Sequence, residues 1–290
     1  MSAADAQQAR DALLALCHAL GEPHRELAIL GEGNVSVALG GADASPDDSA
    51  TASADTSADR GARMLVKASG STLGSAGADD LVECELAPIL AVLDAPVADG
   101  HGTDGHGTDG LDADDAVTAA LMASRVDPQA KRPSVEALLH AVVLSAGAGA
   151  ACHTHPVAAN GILCSDRAEL IAAGALFPDH VVVLGQHALF VPYLDPGLQL
   201  ALHMRDALRA FAEEHGRLPK IAYLQNHGIF AIGDDPAECL RITEMADKHA
   251  RILTAALAIG EPAFLDEAVL DRIENRADEH HRRRVLQGKR

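Results

Sequence analysis

Two histidines one residue apart, His153-Thr154-His155, close the small apolar run Ala150-Ala151-Cys152. No other stretch limits the local structure so tightly. On a β-strand, residues i and i+2 face the same side of the sheet. A buried strand over 150–155 therefore presents two imidazoles to one point and turns Cys152 to the opposite face. Glu136 lies upstream on a predicted helix, and His227 lies downstream in Gln225-Asn226-His227-Gly228. Three neutral imidazoles with a coordination position left open describe a catalytic zinc site rather than a structural one. A carboxylate beside them supplies a proton-transfer group. Taken singly, each residue has a plainer explanation: a histidine satisfied by a local hydrogen bond, or a glutamate on the outer face of a helix. The combination carries the metal reading.

The rest of the chain must bury that strand. Of 290 residues, 48% are hydrophobic but only 2% are aromatic and none is Trp, so the core is built from Ala, Val, Leu and Ile. The length allows one large domain or two small ones. Few aromatics leave little to stack on single-stranded nucleic acid, and a net charge of −19 opposes a phosphate backbone as partner. Part of that charge is local: residues 94–115 carry seven Asp and no Lys or Arg, the pattern of a solvated acidic loop. Five cysteines form no CxxC pair, the first ten residues are polar, and no apolar run reaches membrane-spanning length. The expectation is a reduced, cytoplasmic protein with neither a membrane nor a nucleic acid as partner.

Periodicity predicts a helix over 2–20 stopped by Gly21, a Gly31-Glu32-Gly33-Asn34 turn, and strands over 35–39, 64–67 and 81–86. It predicts helices over 134–144, capped by Ser134, and over 160–173, with Asp166 and Glu169 as a capping pair. The β-branched run 181–184 predicts a strand. A helix over 196–214, strands over 221–224 and 229–232, a long helix from the Asp235-Pro236 start to about residue 259, and a last charged helix from about Asp266 complete the chain. Residues 40–61 and 98–115, the latter with a tandem Asp-Gly-His-Gly-Thr repeat, predict flexible insertions. This order predicts a layered α/β domain over 1–290 rather than two domains.

In order along the chain, five motifs resemble the class II aldolase/adducin family. They are Gly33-Asn34-Val35-Ser36; Lys67-Ala68-Ser69-Gly70; Pro133-Ser134-Val135-Glu136 with His140; His153-Thr154-His155-Pro156; and Asn226-His227-Gly228. The stretch from Phe177-Pro178-Asp179-His180 to Pro196-Gly197 is similar to the aldolase half of bifunctional rhamnulose-phosphate aldolase/dehydrogenases. The resemblance implies a three-layer α/β/α domain around a mixed, largely antiparallel sheet. It implies Zn2+ or another divalent cation on His153, His155 and His227, and Glu136 as the catalytic carboxylate. It implies an anion-binding loop set at Asn34, Ser69, Gly70 and Ser134, with Tyr193 as a proton donor supplied by a neighbouring subunit. A homo-oligomer, a tetramer in most of the family, and a small sugar or sugar-phosphate substrate follow from the same resemblance.

Two departures from the family pattern bear on substrate. Val135 stands where the sugar-phosphate aldolases often carry a second serine, which removes a hydroxyl from the expected phosphate site. Ala68 stands where proline is usual, which changes stiffness more than chemistry. The expected reaction is aldol-type cleavage through an enediolate. Epimerisation, dehydration or decarboxylation use the same kind of site and remain alternatives. Adducin-like relatives, which are interaction modules without a metal, are the reading from another class, and the retained histidines oppose it. His140 shares the helix face of Glu136 and is expected to support the site or pack, and Lys67 to contribute charge without forming a Schiff base.

Overall fold

A computed structural model describes residues 2–40, 62–94 and 109–276. Seven strands form one sheet: β1 (Asn34–Leu39), β2 (Arg63–Lys67), β3 (Leu81–Glu85), β4 (Ala150–Thr154), β5 (Leu189–Val191), β6 (Ile221–Leu224) and β7 (Gly228–Gly233). Their order is β3-β2-β1-β4-β7-β6-β5, and every pair is antiparallel except β5 with β6. β4, which carries His153 and ends one residue short of the expected boundary, just before His155, is thus the middle one of the seven, and all five of its residues are buried. In register, Asn34 of β1 and Phe230 of β7 flank His153.

Helices cover both faces. On one lie α1 (Ala3–Leu20), α5 (Val157–Leu163) and α8 (Pro236–Ile259); on the other lie α2 (Leu86–Asp94), α3 (Asp109–Ala123), α4 (Ala137–Ser145) and α7 (Leu198–His215). The period of two sorts the sheet residues between them. Val35, Cys152, Tyr223 and Ile229 pack under α1, α5 and α8, whereas Val66, Ala151, Phe230 and Ile232 pack under α2, α4 and α7. Two shorter helices, α6 (Pro178–Leu184) and α9 (Glu267–Glu274), share a small cluster of Val181, Val182, Leu270 and Ile273. The three-layer α/β/α architecture with a mixed, largely antiparallel sheet is as expected.

The helix ends show why the long elements start where they do. Ser2 caps α1 through a reciprocal pair: its Oγ accepts from Asp5 N at 3.2 Å and its N donates to Asp5 at 2.9 Å. Asp235 accepts from Glu238 N at 2.7 Å to cap α8, with Pro236 at the first helical position. Buried Cys239, Ile242, Ala246, Ala250 and Leu253 then lay one stripe of α8 on the sheet.

Several expectations are corrected. Residues 181–184 are not a strand but the end of helix α6. Pro178 starts that helix, Gly185 at φ +84° stops it, and its buried face outweighs the β-branched preference. The helix expected over 160–173 is two pieces, α5 and a short 3-10 helix, Ala168–Ala172. Between them the Ser165 hydroxyl accepts from Arg167 N at 3.1 Å and competes with helix continuation. The helix expected from Ser134 begins at Ala137, so Glu136 occupies the capping position before α4 rather than a place within a helix. The strand expected over 81–86 ends at Glu85, and Leu86 opens α2; α2, α3 and β5 were not foreseen. The insertion expected over 98–115 is already helical at Asp109, the first residue of α3. The Asp-Gly-His-Gly-Thr repeat and residues 41–61 lie outside the described residues.

Candidate metal centre

Three segments deliver one cluster to the end of β4. His153 is fully buried and stacks on the Phe230 ring with centroids 5.6 Å apart. Its Nδ1 lies 2.8 Å from Ile229 O. A carbonyl only accepts, so Nδ1 carries the hydrogen and Nε2 is turned toward the cluster. His155 follows β4, and its backbone N donates to Leu27 O at 3.0 Å. Its Nδ1 lies 3.2 Å from Glu32 Oε2, which fixes the same tautomer.

His227 stands in the tight turn between β6 and β7. Asn226 takes φ +54°, a left-handed conformation that Asn tolerates better than most residues. Gly228 has no room for a side chain: a Cβ would lie 2.5 Å from Thr154 O and 2.6 Å from His155 Cδ2. Two bonds to α5 hold the turn, Asn160 Nδ2 to His227 O at 3.0 Å and Asn226 N to Leu163 O at 3.1 Å. Glu136 comes from the turn that opens α4. Its Oε1 is 3.3 Å from both His153 Nε2 and His227 Nε2, and its Oε2 accepts from Asn34 Nδ2.

His153 Nε2 lies 2.9 Å from His155 Nε2 and 3.2 Å from His227 Nε2. One ligand atom from each of the three histidines and Glu136 falls within 4.8 Å of the others. Nitrogens whose lone pairs point at one another need positive charge between them. The electrostatics agree. Burial pushes the His153 pKa down, but the Glu136 charge and hydrogen bond outweigh it and raise it. Burial and the His153 charge push His155 down, partly offset by Glu32. Burial opposes charge on Glu136, yet the His153 and His227 contacts hold its carboxyl far below the usual range. Either a proton or a metal ion can supply the charge. The donor set fits the metal: nitrogens at about 2.0–2.1 Å from one zinc ion stand about 3.3 Å apart in a tetrahedron.

The remaining expected residues fall in three places. Asn34, 4% exposed, is turned onto Glu136, and its Oδ1 is buried without a partner. Ser134 Oγ accepts from Glu136 N at 3.3 Å, so it too holds the carboxylate-bearing turn. Ser69 and Gly70 form an exposed turn pinned by Ser69 N to Arg132 O at 2.8 Å, with Gly70 at φ +79°. Tyr193 is not part of the cluster. It is 52% exposed, and its hydroxyl donates to Asp195 at 2.8 Å, which raises its pKa. Cys152 does face away from the histidines and meets Thr243 Oγ1 at 3.2 Å. Lys67 is buried, its Nζ donates to Ala68 O at 3.3 Å, and burial lowers its pKa.

Sequence reasoning gave no role to Glu32, Asn160 or Ser36. Ser36 Oγ is 2.7 Å from Nδ1 of the fully buried His140, a link between β1 and α4 behind Glu136. Burial pushes the His140 pKa down to about 3, so the ring is neutral. The period of two does place Ser36 on the same face as Asn34, which is the one signal the sequence offered.

Comparison with known proteins agrees with this fold. Residues 11–254 match the family model described as the class II aldolase and adducin N-terminal domain. An L-fuculose 1-phosphate aldolase structure superposes with a TM-score of 0.62 at 18% identity, covering 94% of this chain and 95% of that one. YgbL from Klebsiella pneumoniae, described as a candidate aldolase/epimerase/decarboxylase, gives 0.59 at 20% identity, covering 92% and 98%. At these identities the likeness is one of fold. A curated relative, the uncharacterised oxidoreductase YuxG of Bacillus subtilis (strain 168), is 27% identical over 132 residues; the match spans 45% of this chain and only 16% of that protein.

Proposed function

The chain belongs to the class II aldolase and adducin N-terminal domain family, and from that premise we propose that it is a zinc-dependent carbon–carbon lyase acting on a small sugar, with a sugar phosphate as the first candidate. One observation carries this reading: three imidazole nitrogens and a carboxylate oxygen, from three separate segments, converge within 4.8 Å. An interaction module has no need to hold three imidazoles, one of them fully buried, with their nitrogens facing one another.

His153, His155 and His227 would hold the cation through their Nε2 atoms. When bound, the cation supplies a Lewis acid at the substrate's carbonyl and hydroxyl oxygens, where negative charge develops on cleavage. The chain's own residues do the rest. Glu136 stands beside the His153 and His227 nitrogens, where it can take the proton that leaves the substrate hydroxyl. Asn34 and Ser134 fix its rotamer and its backbone, which aims the accepting oxygen. The Ser69-Gly70 turn, with Asn34 and Ser134, is assigned to the anionic end of the substrate. Tyr193, kept protonated by Asp195, is assigned to return a proton to the product as a residue of a neighbouring copy in a homotetramer.

Val135 favours weighing an unphosphorylated substrate too. It is 42% exposed where a serine would offer a hydroxyl. The test is a panel of ketose phosphates, sugar acids and their unphosphorylated forms, given to zinc-loaded protein with products followed by mass. Two carbon fragments support the lyase. A product of unchanged carbon skeleton, or one short of carbon dioxide or water, replaces it with the epimerase, decarboxylase or dehydratase reading. Glu136→Gln is expected to lower turnover by about 10²–10⁴-fold, and full turnover in that variant removes Glu136 as the base.

A further inference from the structure

The three histidines are not equally supported from behind. His153 gives its Nδ1 hydrogen to a neutral carbonyl, Ile229 O, whereas His155 gives its own to a carboxylate, Glu32 Oε2 at 3.2 Å. Metal-ligating histidines commonly donate the second ring N–H in this way, and a carboxylate acceptor both fixes the tautomer and raises the basicity of the ligating nitrogen.

Glu32 is built into place rather than resting on the surface. Its Oε1 accepts from Ile29 N at 2.6 Å, and its own N donates to Ile29 O at 3.2 Å, closing the turn on both sides. Leu30 within that turn takes φ +54°, which costs an L-residue about 1–2 kcal/mol. Gly33 follows at φ +78°, where a Cβ would lie 2.8 Å from Leu73 Cδ1 and 3.1 Å from His153 O. Two further bonds lace the same loop to the histidine segment, His155 N to Leu27 O at 3.0 Å and Val157 N to Glu26 O at 3.1 Å. A strained turn over-determined by five contacts, with a carboxylate aimed at a ligand ring, is the arrangement of a functional loop.

We propose that Glu32 is a positioning residue for the metal: it accepts the Nδ1 hydrogen of His155, presents Nε2 as the ligating atom, and adds the second carboxylate that balances a divalent cation. With Glu136 as the first carboxylate and three neutral imidazoles, a dication leaves the site without net charge. The inference rests on the metal reading above and gives a role to a side chain that the family motifs leave open.

The experiment measures zinc affinity of the full chain by competition with a chromophoric chelator, for wild type, Glu32→Gln and Glu32→Asp. Gln keeps an amide oxygen for Ile29 N but loses the charge and the second acceptor, so it isolates the His155 contact. Asp keeps the charge and shortens the reach. Each variant is expected to bind zinc about 10–100-fold more weakly, with the thermal midpoint of the metal-free protein near wild type. The visible absorption of the cobalt-substituted protein is expected to shift in Glu32→Gln, which a role confined to the turn would not cause. Equal zinc affinity in wild type and both variants overturns the role of Glu32 and leaves the metal site standing. No zinc binding by the folded wild type overturns both.

Discussion

At the scale of single residues the cluster depends on small groups as much as on its histidines and glutamate. Gly228 is the sharpest case, because the turn that presents His227 passes against Thr154 O and the His155 ring with no space for a methyl group. Gly228→Ala must push either β4 or the His155 ring aside. Overpacking of this kind costs about 1–3 kcal/mol. The expected outcome is a lower thermal midpoint together with weaker metal binding; unchanged values for both would contradict the account of this turn. The histidines themselves were legible in the sequence because i and i+2 on a strand have one geometric meaning. Glu32 was not legible. Its contact with His155 exists only because the loop before β1 crosses the end of β4, with Asn34 opposite His153 in register, and no spacing within the loop announces that. Asn34 and Ser134 were legible as residues near the site, but not as supports of Glu136. That role follows from the start of α4 at Ala137, which leaves Glu136 in the capping turn beside Ser134.

At the scale of elements, what the sequence hid was hidden by local preference. Three consecutive valines read as strand, but the Pro178 start and the Gly185 stop make α6 a helix, and its contact with α8 keeps it one. That packing buries a second histidine pair. His180 Nδ1 lies 3.1 Å from His249 Nδ1, and His249 Nε2 donates to Ile171 O at 3.1 Å. With both rings neutral, His249 Nδ1 accepts and His180 Nδ1 donates. Burial pushes the His180 pKa down to about 3 and lowers that of His249. The sign of the linkage is set by the unfolded chain, whose histidines take up protons near pH 6.5. Between about pH 6.5 and 3 the unfolded state binds more protons than the folded one, so stability is full above that window and falls as pH falls through it. NMR of the ring protons is expected to show His180 neutral at pH 5 in the folded protein; a ring that titrates near 6.5 would contradict the packing of α6 on α8.

At the scale of the whole molecule, the aromatic-poor composition and the layered fold explain each other. Ala, Val, Leu and Ile on both faces let helices approach a seven-stranded sheet closely, and the two aromatics near its centre, Tyr223 and Phe230, fall on opposite faces. The layer order was legible from the succession of elements and the family motifs, whereas α2 and β5 were not: α2 is apolar on every side and β5 is only three residues long, so neither carries a period. No helix among the described residues is long and apolar enough to cross a membrane. Three histidines and one glutamate meet at the end of the sheet's middle strand, and whether they hold a metal ion decides the proposed function. Native mass spectrometry tests it most directly, because it weighs the intact assembly and its bound ions together. The expected result is one divalent metal ion per chain in the wild-type protein and its loss in His153→Ala and His155→Ala. A folded wild-type protein loaded with zinc that carries no ion, or variants that keep theirs, would contradict it.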